Sequence, residues 1–232
     1  MNRLGRGRKG ERVFWDVQSY FWDRRGQPDR ARKTVEDRAE WLARYRERTG
    51  ESVLDIGCGT GDYSIALTRV GFTVLGIDFS PHMLKRAQIK AHRAGSPVKL
   101  RRVDFNKPLP FPGAAFDHAI AVQMLHCAAD PLAFLTEVHR VLKQRGHFLL
   151  VALRANPPSG DLGKPSARQR GLVESAFWKF RRRLIKRNRW PRFEEDELTH
   201  LLESAGFQIL EEAIGRKSVF LMCQVRTGPG AN

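Results

Sequence analysis

Two carboxylates and three glycines carry the chemistry legible in this chain. Asp55 lies in the short apolar run Val53-Leu54-Asp55-Ile56, which leads into Gly57-Cys58-Gly59-Thr60-Gly61. Asp78 closes a second apolar run, Val74-Leu75-Gly76-Ile77. Glycines at alternate positions after a strand permit a sharp turn and close approach of backbone to a ligand. The early carboxylate restricts what that ligand is. It repels a dinucleotide pyrophosphate and stabilises a cationic amino or sulfonium group. The spacing also departs from the G-x-G-x-x-G pattern of hydride-transfer cofactors. Cys58 sits inside the turn and is expected to pack beneath it with no catalytic duty.

These residues need a sheet to hold them. Strand-like runs occur near Val53 to Ile56, Phe72 to Ile77, Val98 to Val103, Phe116 to Val122 and Phe148 to Leu153, with helical patterns between them. That alternation is the signature of repeated βαβ units. Weak strand-period alternation within the runs predicts a sheet covered on both faces. Ser80-Pro81 and Asp130-Pro131 read as helix starts, with Leu135, Val138 and Leu142 continuing a buried stripe. Val35, Ala39, Leu42 and Tyr45 predict an amphipathic helix ahead of the core, and Val13 to Phe21 another, aromatic one. Glycine at 206 is expected to end a helix around Leu198 to Ala205. Phe207 to Ala213 and Ser218 to Val225 read as a closing antiparallel hairpin at the sheet edge.

Composition bounds the alternatives. A chain of 232 residues with 41% hydrophobic content is sized for one α/β domain with modest additions. No apolar run approaches the roughly 20 residues that span a bilayer. The basic amino terminus makes a poor signal peptide, so the expected location is cytoplasmic. Cys58, Cys127 and Cys223 are widely spaced and odd in number, which predicts free thiols. The formal net charge is +16. Its densest block runs from Lys179 through Arg181, Arg182, Arg183, Lys186, Arg187 and Arg189 to Arg192, and such a field attracts nucleic acid, anionic lipid or acidic substrates.

Four ordered motifs resemble the class I S-adenosylmethionine-dependent methyltransferases, in the broad subgroup of small-molecule, quinone and tRNA-modifying enzymes. They are VLDIGCGTG, GIDFSPHMLKRA, VDFNKPLPFPGAAFDHAIAVQMLHC and LTEVHRVLKQRGHFLLVAL. The match covers residues 48–153, and 193–225 more weakly. The resemblance implies a Rossmann-like α/β fold: a seven-stranded, mostly parallel sheet with an antiparallel edge strand, in the order 3-2-1-4-5-7-6. It implies S-adenosylmethionine as cofactor and S-adenosylhomocysteine as product. By the same resemblance Asp55 orients the methionine amino group, while the stretch Gly57, Cys58, Gly59, Gly61 brings backbone to the cofactor. Asp78 takes both ribose hydroxyls, and Phe79 and Met83 line the adenine pocket. Asp104 accepts the adenine amine, Phe105 offers a backbone donor, and Gln123 borders the methionine end.

The methyl donor brings its own leaving group, so alignment and exclusion of water can supply much of the rate. His126, following the fourth strand, is the candidate base where the acceptor must lose a proton. His139 is expected to pack. No cluster has convincing metal-ligand spacing, so a metal-independent reaction is preferred. Residues 1–50 are expected to form a basic tail and helices capping the cleft. Residues 51–232 would be the methyltransferase domain, with 154–192 inserted as a basic, aromatic substrate cover. Tyr20, Trp22, His126, Phe177 and Trp178 are the expected acceptor wall. The favoured substrate is small or lipophilic. An RNA acceptor held by the basic block, and a catalytically silent cofactor-binding protein, are the alternatives. The block also leaves open a peripheral position on the inner membrane face.

Overall fold

Strands that are apolar on both faces need cover on both sides. The structure, a computed structural model, describes residues 29–155, 192–215 and 218–226. In chain order its elements are α1 (Asp29–Ala43), β1 (Ser52–Ile56), α2 (Asp62–Arg69), β2 (Thr73–Asp78), α3 (Pro81–Arg93), β3 (Lys99–Arg102) and β4 (Phe116–Val122). A 3₁₀ turn (Leu125–Cys127) follows, then α4 (Pro131–Val141), β5 (Leu142–Leu153), α5 (Glu195–Ser204), β6 (Phe207–Ile214) and β7 (Ser218–Val225). The strands form one sheet in the order β3-β2-β1-β4-β5-β7-β6. Strands β1 to β5 are mutually parallel, and β7 runs antiparallel to both β5 and β6. This is the order that the family resemblance implies, with the closing hairpin at the edge.

Alternation along the strands divides the core in two. Val53, Ile120, Leu149, Val151 and Met222 pack with Ala39 and Leu42 of α1 and with Ala66 and Leu67 of α2. Leu54, Ile56, Ala119, Phe148 and Leu150 pack with Leu135 and Val138 of α4 and with Leu198 and Leu202 of α5. Fully buried side chains such as Leu54, Ile120, Phe148 and Leu149 each contribute about 1.5–3 kcal/mol of transfer free energy. Because Leu54 and Ile56 point one way, Asp55 must point the other, toward α2.

The helix starts behave as their residues dictate. The Ser80 hydroxyl accepts from the Met83 amide at 3.2 Å, and the Asp130 carboxylate accepts from the Ala133 amide at 3.0 Å, each with proline following. Gly206, at φ 92, ends the last helix. Tyr45 falls beyond α1 rather than on it. Its hydroxyl, the Trp41 indole and the Arg44 guanidinium all donate to Glu211 of β6, fastening the helix end to the sheet. His139 packs edge-on against Phe207, with ring centroids 5.3 Å apart.

One boundary departs from expectation. Strand β5 begins at Leu142, directly after α4, and not near Phe148. Phe116 pairs with Leu142 and His118 with His147, so the Lys143–Gly146 turn is absorbed as an irregularity in the ladder, with Arg145 at φ 59. Cys58 and Cys223 are free thiols, and burial raises both, which keeps them protonated. Among the described residues no helix is long and apolar enough to cross a membrane. The aromatic stretch Val13 to Phe21, with Tyr20 and Trp22, lies outside the described residues. So do Phe177, Trp178 and the basic block from Lys179 to Arg189.

Candidate functional site

In a parallel sheet every loop that follows a strand emerges at the same end, so chemistry placed there converges. The order β3-β2-β1-β4 sets Asp104 and Phe105, then Asp78 and Phe79, then the glycine turn, then Gln123 and His126 along one rim.

The glycine turn is tied to the neighbouring strand. The Gly57 and Cys58 amides both donate to the Ile77 carbonyl, at 2.8 and 2.9 Å, which folds the turn over the end of β2. Gly57 stands at φ 71, and a Cβ there would lie 3.1 Å from Cβ of Met124. Gly61 caps α2 at φ 84, and a Cβ there would lie 3.0 Å from Cβ of Ala87. At both positions a side chain would be strained by the positive φ and crowded by its neighbour. At Gly59, φ 55, a Cβ would meet nothing within 4 Å, so the middle of the turn faces open space.

Asp78 holds this end of the sheet together. Its Oδ2 accepts from the Gly59 amide at 3.0 Å and its Oδ1 from the Ser80 amide at 2.9 Å, while its carbonyl accepts from Val103 at 3.1 Å. One carboxylate thus spans the glycine turn and the start of α3. Asp55, 2% exposed, accepts from the Ser64 hydroxyl at 2.5 Å. Burial pushes its carboxyl up to about 7, and the Asp78 and Asp62 carboxylates add to the rise against the Ser64 hydrogen bonds. The charges that act on Asp55 are acids.

Phe79 meets Phe105 edge-on at 6.1 Å, and Phe105 meets Phe134 likewise at 6.1 Å, so the aromatic wall on the β3 side is continuous with the core. Met83 is buried on α3. Asp104 is exposed, and its carboxylate turns the chain by accepting from the Asn106 amide at 3.1 Å. Asn106 then bridges to the β4 side, accepting from the Ala129 amide at 2.6 Å and donating to the Cys127 carbonyl at 3.3 Å.

Gln123 directly follows β4 in the left-handed region, at φ 50, a conformation a non-glycine residue adopts at a cost and that concentrates at functional sites. Its carboxamide donates to the Ser218 hydroxyl at 3.3 Å. His126 is buried, and burial together with the nearby Arg192 guanidinium lowers its imidazole to about 4. At neutral pH the ring is uncharged and a weak base.

The structure therefore gathers Asp55, Gly57, Cys58, Gly59, Gly61, Asp78, Phe79, Met83, Asp104, Phe105, Gln123 and His126 at one end of the sheet. Sequence reasoning missed Ser64, Gly76, Asn106 and Ser218. Two of them left a signal. Ser64 lies three residues after Gly61, where a helical side chain leans back over the turn, and a glycine inside a strand, like Gly76, marks close approach.

A strand order of this kind, a left-handed glycine turn at the carboxyl end of β1 and an acid at the end of each of the first two strands define one class of protein. The chain has the fold of the class I S-adenosylmethionine-dependent methyltransferases. Residues 54–150 match the family described as Methyltransferase domain. The chain is 30% identical over 164 residues to a ubiquinone biosynthesis O-methyltransferase of Dinoroseobacter shibae, covering 70% of this chain and 62% of that protein. It thus spans less than two thirds of that relative's length. Among solved structures it is similar to magnesium protoporphyrin IX methyltransferase from Synechocystis PCC 6803 with bound SAH, with a TM-score of 0.70 and 21% identity over 94% of this chain and all of that one. It is also similar to a SAM-dependent methyltransferase from Aquifex aeolicus, with a TM-score of 0.67 and 21% identity over 91% of this chain and 98% of that one. At such identities the structural likeness is one of fold.

The cofactor of this superfamily is S-adenosylmethionine, and the residues present fit it. A cationic amino acid end suits a pocket where acids act on Asp55. The open side of Gly59 leaves room for the ligand beside the Asp78 carboxylate.

Proposed function

We propose that this chain transfers the methyl group of S-adenosylmethionine to an oxygen, nitrogen or carbon nucleophile of a small or lipophilic molecule. The observation that carries the reading is the pair of strand-end acids around the glycine turn, with Asp78 bonded to the Gly59 amide at 3.0 Å and Asp55 surrounded by like charge. Bound, the cofactor supplies a sulfonium-activated methyl carbon. Asp78 would hold the ribose hydroxyls and Asp55 the methionine ammonium. Phe79 and Met83 would line the adenine pocket, Phe105 would offer a backbone donor, and Asp104 would accept from the exocyclic amine. Gln123 fixes the border between the methionine end and the acceptor.

An acceptor that carries a proton would release it to solvent or to a base. A histidine lowered to about 4 takes that proton poorly. His126 therefore serves first as an uncharged hydrogen-bonding wall that orients the acceptor. The relative that acts in ubiquinone biosynthesis supports a lipophilic, oxygen-bearing acceptor. Labelled methyl donor incubated with cell extract and the protein, then fractionated, tests the class. Label in the lipid or small-molecule fraction is expected; label confined to RNA would overturn the acceptor class, and no label anywhere with bound cofactor would favour a silent binding protein.

A further inference from the structure

The least expected contact in the cleft lies beneath it. Ser64 is fully buried in the first turns of α2, and its hydroxyl stands 2.5 Å from the Asp55 carboxylate. Its backbone amide also favours the ionised carboxylate. The hydroxyl has room because residue 76, paired in register with Asp55 on the adjacent strand, is glycine. A Cβ at Gly76 would lie 2.8 Å from the Ser64 Oγ and 3.1 Å from the Cys58 Sγ. The bare strand and the serine form one seat for the acid.

Resting on the methyltransferase reading, we propose that Ser64, seated over Gly76, is a positioning residue that sets the charge state in which Asp55 receives the cofactor's ammonium group. A buried carboxyl accepts a cation only when ionised. The groups that face Asp55 set how easily it ionises. Asp62 of α2 and Asp78 of β2 oppose ionisation by like charge. Asp62 is itself paired with Lys90 of α3 at 2.8 Å. Cys58 in the turn stays a neutral thiol, Tyr63 of α2 is held by Arg38 of α1, and the β4 neighbour in register is the uncharged Ile120. Against these the Ser64 hydroxyl favours the ionised form. With the Asp55 carboxyl at about 7, cofactor uptake should strengthen as pH rises through neutrality. Uptake below neutrality should release a proton.

Calorimetry with S-adenosylhomocysteine on the whole chain, between pH 6 and pH 8 in two buffers of different ionisation enthalpy, tests this. Wild type should bind about tenfold tighter at the alkaline end, with proton release at the acid end. In Ser64→Ala the midpoint should rise by about one pH unit. Asp55→Asn keeps the shape and cannot titrate, so its binding should be weak and flat across the range. A wild-type affinity independent of pH, or a Ser64→Ala profile superimposable on wild type in a protein that melts normally, would overturn the role of Ser64. Absence of wild-type binding at every pH would instead overturn the functional reading, and this inference with it.

Discussion

Two carboxylates at opposite ends of the same sheet experience opposite fates. Asp117, at the start of β4, is surrounded by donors. Its Oδ2 accepts from the Ser52 amide and hydroxyl at 2.9 and 2.6 Å, and its Oδ1 meets Lys143 Nζ at 2.7 Å. Burial alone would raise its carboxyl, and these hydrogen bonds outweigh it and hold the group well below the usual carboxylate range. Asp55, near the end of the adjacent strand, is pushed up to about 7. Glu51 sits at the lower end with Asp117 and is likewise matched, bonded to His118 at 2.7 Å and to the Glu47 and Arg48 amides. The lower end resolves its charges within the chain and so stabilises the fold. The upper end gathers acids around a turn with open space, which is the arrangement a cationic ligand completes.

Variants can break that contrast. The largest effect is expected for Asp78→Ala, which removes the ribose acceptor and the bridge to Gly59. S-adenosylhomocysteine affinity should fall on the order of 100-fold, matching the loss of two charge-assisted hydrogen bonds. Unchanged calorimetric affinity in a folded variant would remove Asp78 from the cofactor site. Next, Asp117→Ala should cost about 1.5–3 kcal/mol in urea unfolding, with cofactor affinity unaltered. Because the Asp117 carboxyl is lower folded than unfolded, its contribution is present above the ordinary carboxylate range and is lost as pH falls through and below it. A matching loss of cofactor affinity would erase the distinction between the two ends.

His126→Asn sharpens the assignment within the upper end. As a wall residue it should lose roughly tenfold in turnover with an unchanged pH profile. A drop of 10² or more with loss of a basic limb would make it the base. The smallest effect concerns the lower end. Burial, with His118 beside it, lowers His147 to about 4. The unfolded chain therefore takes up a proton first, and this histidine's contribution declines as pH falls from about 6.5 toward 4. His147→Phe should flatten the urea midpoint over that window; an unchanged slope would exclude His147 as its source.

The sequence by itself determined the class and most of the framework. Apolar runs ending in Asp55 and Asp78, alternate glycines, and serine or aspartate before proline are local signals. Each acts through backbone conformation or a contact a few residues away, so each can be read along the chain. The same locality explains where reading stopped. The start of β5 at Leu142 depends on pairing with Phe116, and the seat of Ser64 over Gly76 depends on β1 and β2 lying in register. Whether Asp55 and Asp117 differ in charge depends on which donors the fold brings from distant segments, as Lys143 is brought to Asp117. Electrostatics and close packing act through space, and only the tertiary structure fixes those distances.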